Sequence, residues 1–308
     1  MGERPLPLDE QQLAAALVTL DDEPLGRAGD DGVAPLDLGM AVAGATLGAR
    51  GVLSPGGGFE GRMEAAGPDL SALLPAPAGA FRASGRLTAT ADLLAADDMA
   101  LELGGQAARG AITLRLAPAA RLDIALAAGR LDLDAWVAAL RGARGQAIPV
   151  SIDLSAEATA YGPVPLRRLR GGFFLEGDRL TLSDVSALLP GETEIEVTGA
   201  TAGPRIELGI RFAGENLRDT LAALGLPLAW TDPVRLRAGE GRFRLTLGEG
   251  GQAEIADLAA TVDGTRISGA GVLRLGRARP AIGLGLTLDR LELDGLLPRE
   301  PDWPALAG

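Results

Sequence analysis

The chain contains no cysteine, no histidine and no lysine, so its 29 basic residues are all arginine. Without cysteine or histidine there is no thiolate nucleophile, no Ser-His-Asp triad and no ordinary zinc site. Without lysine there is no phosphate-binding P-loop and no Schiff-base chemistry. Any catalysis falls to carboxylates, arginine, serine, threonine or Tyr161. The lack of cysteine is compatible with any redox compartment. Aromatic residues make up only 3% of the chain, so its apolar surface is built from leucine, alanine, valine and isoleucine. No apolar run approaches the roughly 18 residues of a spanning helix. The early stretch "LAAALV" (13–18) follows Asp9 and Glu10 without a basic flank, which is not the pattern of a signal peptide. A net charge of −12 disfavours nucleic acid, whose partners cluster positive charge on one face.

What is present is a period of two. The 308 residues are 47% hydrophobic, with 44 glycines and 20 prolines, a turn-rich composition suited to many short strands. In "VSIDLSAEATA" (150–160), Val150, Ile152, Leu154, Ala156 and Ala158 share one face while Ser151, Asp153, Ser155, Glu157 and Thr159 take the other. "RIELGIRF" sets Ile206, Leu208, Ile210 and Phe212 against Glu207 and Arg211, and "RFRLTLG" places Phe243, Leu245 and Leu247 together. "AIGLGLTL" does the same with Ile282, Leu284, Leu286 and Leu288. Such alternation predicts strands with one apolar and one wet face. Asp263-Gly264 and Gly177-Asp178 stand between alternating runs and predict hairpin turns.

The chain also repeats itself. "GPDLSALLPAPAGAFRASGRL" from Gly67 corresponds to "GENLRDTLAALG…VRLRAGEGRFRL" from Gly214. "RGAITLRLA" (109–117) matches "SGAGVLRLG" (268–276), and "GRLDLDAWV" (129–137) matches "DRLELDGLL" (289–297). Short helices are predicted at 68–74, 131–140, 215–225 and 291–298, each opening near an Asp or Asn that can cap free amides. The pairs Asp132/Asp134 and Glu292/Asp294 suggest catalytic carboxylates at first sight. Because they recur with the repeat, they read instead as one solvated strand-end residue and one helix cap. The fold expected is mainly β: a long curved antiparallel sheet of tandem strand repeats, punctuated by short helices.

The order of these motifs, from the capped Leu-rich turn through "FRASGRL", "ARGAITLRL" and "GRLDLDAWV" and their second copies, resembles the repetitive C-terminal region of the AsmA family of bacterial envelope proteins, over roughly residues 35–298. The resemblance implies a taco-like sheet with an apolar inner groove. It also implies a non-enzymatic, periplasmic, inner-membrane-associated protein acting in phospholipid transport or outer-membrane homeostasis. Its partner would be a phospholipid or another acyl-chain lipid, and no cofactor or metal is implied. Membrane contact and export would rest on a segment outside this sequence. The expected organisation is an irregular acidic segment at 1–34, repeat units at 35–140 and 141–298, and a tail at 299–308.

The groove lining expected is Ile152, Leu154, Ile206, Leu208, Ile210, Leu245, Leu247, Leu273, Leu275, Ile282, Leu284 and Leu286. Periodicity alone leaves two arrangements open: an open groove, and a closed sandwich core of a structural or adhesive envelope repeat. A carboxylate-dependent glycosidase is disfavoured by the shortage of stacking aromatics. Arg167, Arg168 and Arg170 in "LRRLRGG" could meet lipid phosphates, but are expected to be solvated on a strand edge. "SPGGGFEG" (54–61) lacks the lysine and strand-to-helix context of a phosphate loop and is expected to be a turn. Asp30-Asp31 and Asp97-Asp98 are expected to be solvated turns rather than cation sites. Trp136 and Trp230 are expected to close the ends of the apolar layer.

Overall fold

The computed structural model describes residues 18–19, 33–142, 146–226, 234–248, 251–274 and 281–290. The protein is mainly β, with antiparallel strands following one another in sequence between short helices, as the alternation predicts. It divides into two compact units, one of residues 1–157 with 172–180 and the other of residues 158–171 with 181–308. Strands β9 (Gln146–Tyr161), β10 (Val164–Gly177) and β11 (Arg179–Leu189) each supply residues to both units.

The first unit is a meander. Its strands are β1 (Val18–Thr19), β2 (Ala34–Val42), β3 (Ala45–Leu53), β4 (Phe59–Gly67), β5 (Phe81–Ala89), β6 (Leu93–Leu103), β7 (Gln106–Arg115) and β8 (Arg121–Asp132). The segment expected to be irregular carries β1, whose Val18 pairs with Met40 of β2. From β2 to β8, neighbours pair antiparallel in register, so side chains of one parity form rows across the sheet. Leu38, Ala49, Met63 and Gly85 make one such row, and no charged residue is paired on that face of β2–β8. The opposite face carries the row Asp37, Arg50, Arg62 and Arg86. Arginines directly opposite one another repel. The outer two are compensated, Arg50 by Asp37 at 2.6 Å and Arg86 by Asp98 at 3.3 Å.

The second unit holds the end of β9, most of β10 and β11, and then β12 (Thr193–Ala202), β13 (Arg205–Gly214), β14 (Gly239–Leu247), β15 (Gln252–Val262), β16 (Thr265–Arg274) and β17 (Ala281–Leu288). β12 to β17 again pair antiparallel in chain order. The predicted turn between β15 and β16 has Asp263 at φ 48° and Gly264 at φ 80°, the two positive angles that a type I′ hairpin requires.

Bulges interrupt corresponding strands. In β6 the register shifts between Ala96 and Met99, with Asp98 at φ 51°. In β15 it shifts between Ile255 and Leu258, with Asp257 at φ 53°. Each bulged Asp meets an arginine of the preceding strand: Arg86–Asp98 at 3.3 Å and Arg244–Asp257 at 2.9 Å. The sequence repeat is therefore a structural repeat down to a bulge and its ion pair. Asp97-Asp98 is thus not the turn expected from its polarity. An extra residue is accommodated inside the strand, which bends it and increases its twist.

The helices stand near the predicted positions. The segment at 68–74 forms only a 3₁₀ turn, η1 (Leu70–Ala72), capped by Asp69. Helix α1 (Leu133–Gly142) buries Trp136 and Leu140, and helix α2 (Leu217–Ala223) buries Leu217 and Thr220. The Asp69 carboxylate accepts from Ser71 N at 3.0 Å, Ser71 Oγ at 2.8 Å and Gly79 N at 3.2 Å. The Ser71 hydroxyl bond is the largest cause holding its pKa below the ordinary aspartate value; burial opposes it and the two amides add to it. The helix expected at 291–298, with Glu292 and Asp294, lies outside the described residues, as do Trp230, Asp30-Asp31 and the 299–308 tail.

The core of the first unit includes Phe59, Phe81, Met99, Ile124 and Leu126, joined by Val150, Ile152 and Leu154 of β9. In the second unit Leu166, Leu169, Ala187, Leu188, Leu189 and Leu217 are buried.

Candidate functional site

The residues expected to line a groove fall into two groups. Ile152 and Leu154 are 1% and 5% exposed. Both lie in the core of the first unit. Their apolar face is covered, which the alternation of "VSIDLSAEATA" could not reveal.

The remaining residues come together on one face of β12–β17. Register places Gly199, Leu208, Leu245, Ile255, Gly271 and Leu284 in one row. Thr201, Ile206, Leu247, Ala253, Leu273 and Ile282 form the next row toward the β12–β13 turn. On the other side Val197, Ile210 and Phe243 lead to Leu258, Gly269 and Leu286 beyond the bulge. A fourth row holds Ile195, Phe212, Gly241, Ala260, Ile267 and Leu288. No charged residue is paired on this face. Phe212 and Phe243, opposite each other's strands, pack with ring centroids 6.4 Å apart and planes tilted by 58°. Sequence reading had not placed either ring in the lining, although both belong to the quoted alternations.

This face is only partly covered. Ile206, Leu208, Ile210, Leu245, Leu247 and Leu273 are half-buried, while Leu284 is 67% and Leu286 42% exposed. Leu275 lies outside the described residues, and for Ile282 only its strand position opposite Leu273 is described.

One end of the face is closed. Thr193, the first residue of β12, is 1% exposed, and its hydroxyl lies 2.6 Å from that of Thr220 on α2. Thr220 Oγ1 also donates to the Pro190 carbonyl at 2.7 Å. The approach is so close that a Cβ on Gly214 would stand 2.1 Å from Thr193 Oγ1, and glycine is required there. The loop before β14 is tied to the same end, because the Asp263 carboxylate accepts from Leu236 N at 2.6 Å and Arg237 N at 3.0 Å.

The polar faces are shaped differently. A concavity of about 1170 Å³ in the first unit is floored by small residues such as Gly48, Ala66, Ser84 and Ala100, and walled by Glu64, Arg82, Glu102 and Arg109. One of about 790 Å³ in the second unit is walled by Glu194, Arg211, Glu240, Arg242 and Arg266 over Ala213, Ala259 and Ser268. Both arise where long charged side chains flank small ones. Their charges are of both signs, with Arg211 lying 3.7 Å from Glu196.

The other candidates resolve as structure. Arg167, Arg168 and Arg170 do not lie on an edge, since β10 pairs with both β9 and β11. Arg167 bonds Glu192, and Arg168 sits at φ 50° within the strand between buried Leu166 and Leu169. Residues 54–58 make the β3–β4 turn, with Ser54 N donating to Gly58 O at 2.8 Å. Asp132 is the helix cap, accepting from Ala135 N at 2.9 Å, while Asp134 stands in the first turn of α1. Among the described residues no group of three or more Asp or Glu is placed to hold a metal ion. No described helix is long and apolar enough to cross a membrane.

No protein-family model, curated protein or solved structure matches the chain.

Proposed function

We propose that the apolar face of β12–β17 holds the acyl chains of a phospholipid or related lipid, in a non-enzymatic protein of the bacterial envelope that works in phospholipid transport or outer-membrane homeostasis. The observation that supports this reading is a four-row, charge-free face that remains half-exposed and ends in a leucine exposed by 67%. Leaving such a surface to water is costly, at about 25 cal/mol per Å² of apolar area. A lipid removes that cost and its own chain's cost of about 0.8 kcal/mol per methylene. The periplasmic, inner-membrane-associated location belongs to the same proposal and rests on the AsmA-like order of motifs.

A second reading has its own support. Val150, Ile152 and Leu154 are fully buried in the first unit, so part of the apolar surface is an ordinary core. If the rest closes likewise, the protein is a structural or adhesive β-repeat with no cargo. Mass spectrometry of an organic extract of the purified protein separates the two. The lipid reading expects near-stoichiometric phospholipid, and a folded protein free of lipid supports the structural one.

A further inference from the structure

The two repeats share an asymmetry along their strands. In the second unit the end of the apolar face next to α2 is sealed, with Leu189, Thr193, Leu217 and Thr220 all under 9% exposed. Moving along β17 away from that end, Leu288 is half-buried, Leu286 is 42% exposed and Leu284 is 67% exposed. Ile255, in the same row as Leu284, is 36% exposed. The first unit repeats this pattern. Next to η1, Ala45, Leu70, Ala76 and Phe81 are 1–5% exposed. At the opposite ends of its strands Leu53 is 36% and Leu94 40% exposed, although Phe59, the partner of Leu53, is itself buried. In both units, then, the helix end is shut, and in the second unit water reaches the apolar face at the far ends of β15 and β17, while Thr201 beside the β12–β13 turn is itself only 4% exposed.

From this asymmetry, and resting on the lipid reading above, we infer that a bound lipid has one polarity: its acyl chains run toward the helix end and its headgroup stands at the hairpin end. Two physical arguments carry the inference. A charged headgroup placed at the helix end would be buried against apolar groups and a threonine pair whose hydrogen bonds are already committed, at a large desolvation cost. At the hairpin end it keeps its water. The length also fits. Four rows two residues apart span about 20 Å at roughly 3.3 Å per residue. A chain reaching the middle of a bilayer core needs about 15 Å, half of the core's thickness.

The lack of native cysteine provides the test, since any introduced cysteine is the only labelling site. Single variants Ile255→Cys and Leu284→Cys mark the hairpin end of the β12–β17 face; Ile267→Cys and Leu288→Cys mark its helix end. Each is labelled with a small fluorophore and loaded with phosphatidylcholine carrying a nitroxide either on the headgroup or near the end of one chain. The headgroup nitroxide is expected to quench the labels at 255 and 284 and spare those at 267 and 288, with the chain-end nitroxide giving the reverse. The opposite order, or equal loss at all four positions, overturns the polarity while leaving lipid binding intact. No quenching by either lipid, in variants that keep the unlabelled protein's melting curve, overturns the lipid reading and the polarity with it. If one of the half-buried helix-end sites fails to fold once labelled, the other reports for the same row.

Discussion

Thr193 and Thr220 share a buried hydrogen bond of 2.6 Å that fastens α2 to the first residue of β12. Because Thr220 gives its own proton to the Pro190 carbonyl, Thr193 must be the donor of the pair. Thr220→Val removes the acceptor and leaves a buried hydroxyl unsatisfied, at an expected cost of about 1–3 kcal/mol. Thr193→Val added to it should cost little more, because the stranded hydroxyl is then gone. Urea unfolding of the two single variants and the double tests this; fully additive losses would show that the hydroxyls act independently.

At α1 the two carboxylates of "LDLD" are unequal. Asp132 caps Ala135 N, whereas Asp134 contributes through the first-turn charge. Asp132→Ala is expected to lower stability by about 1 kcal/mol, and Asp134→Ala by a few tenths to 1 kcal/mol. Thermal melts of both variants decide the order. Phospholipid in the organic extract should be unchanged in each.

The bulge in β6 depends on backbone conformation more than on its ion pair. Arg86 and Asp98 side chains are 69% and 78% exposed, so their pairing is worth about 0–1 kcal/mol. Asp98 at φ 51° is another matter, because aspartate tolerates the left-handed region while a residue with a branched Cβ is strained there. Asp98→Gly should be tolerated, while Asp98→Val should lose about 1–3 kcal/mol. Equal denaturation midpoints for these two variants would contradict the assignment.

Asp69 links stability to acid. Its pKa is depressed in the folded protein, chiefly by the Ser71 hydroxyl, so its carboxylate stabilises the fold fully above the unfolded value near 3.9. That contribution is lost as pH falls through the lower folded value. The stability difference between the wild type and Asp69→Asn should therefore be constant at neutral pH and shrink below about pH 4. Denaturant midpoints measured from pH 7 to 3 follow it, and a gap that widens in acid would contradict the sign.

Exposure separates the two kinds of apolar position. Ile152→Asp places an unpaired charge where exposure is 1%, and should unfold the first unit. Leu284→Asp, at 67% exposure, should keep the β-type circular dichroism spectrum and a cooperative melt while co-purifying phospholipid falls. Leu208→Asp, half-buried in the same row, is expected to stay folded with a modest drop in Tm. If Leu284→Asp and Leu208→Asp are both insoluble, the face of β12–β17 is a core and not a groove.

Local chemistry makes much of this architecture legible in the sequence. Alternation in "RIELGIRF" and "AIGLGLTL" sets the strand and the parity of each side chain, because a pleated strand allows only two faces. Asp263-Gly264 dictates its turn, since few other pairs accept two positive φ angles. Asp132 announces α1 through the free amides it can satisfy. The bulges were less visible. "LAADDMAL" reads as polar residues interrupting a strand, and nothing local says that Asp98 is looped into αL with pairing resuming at Met99. Burial was not visible at all. Ile152 and Leu284 occupy equivalent places in equally good alternations, yet one is 1% and the other 67% exposed. Period and hydrophobicity specify which way a side chain points, whereas what stands opposite it comes from residues distant in the chain. Only the tertiary structure therefore decided which apolar positions are buried in a core and which remain exposed.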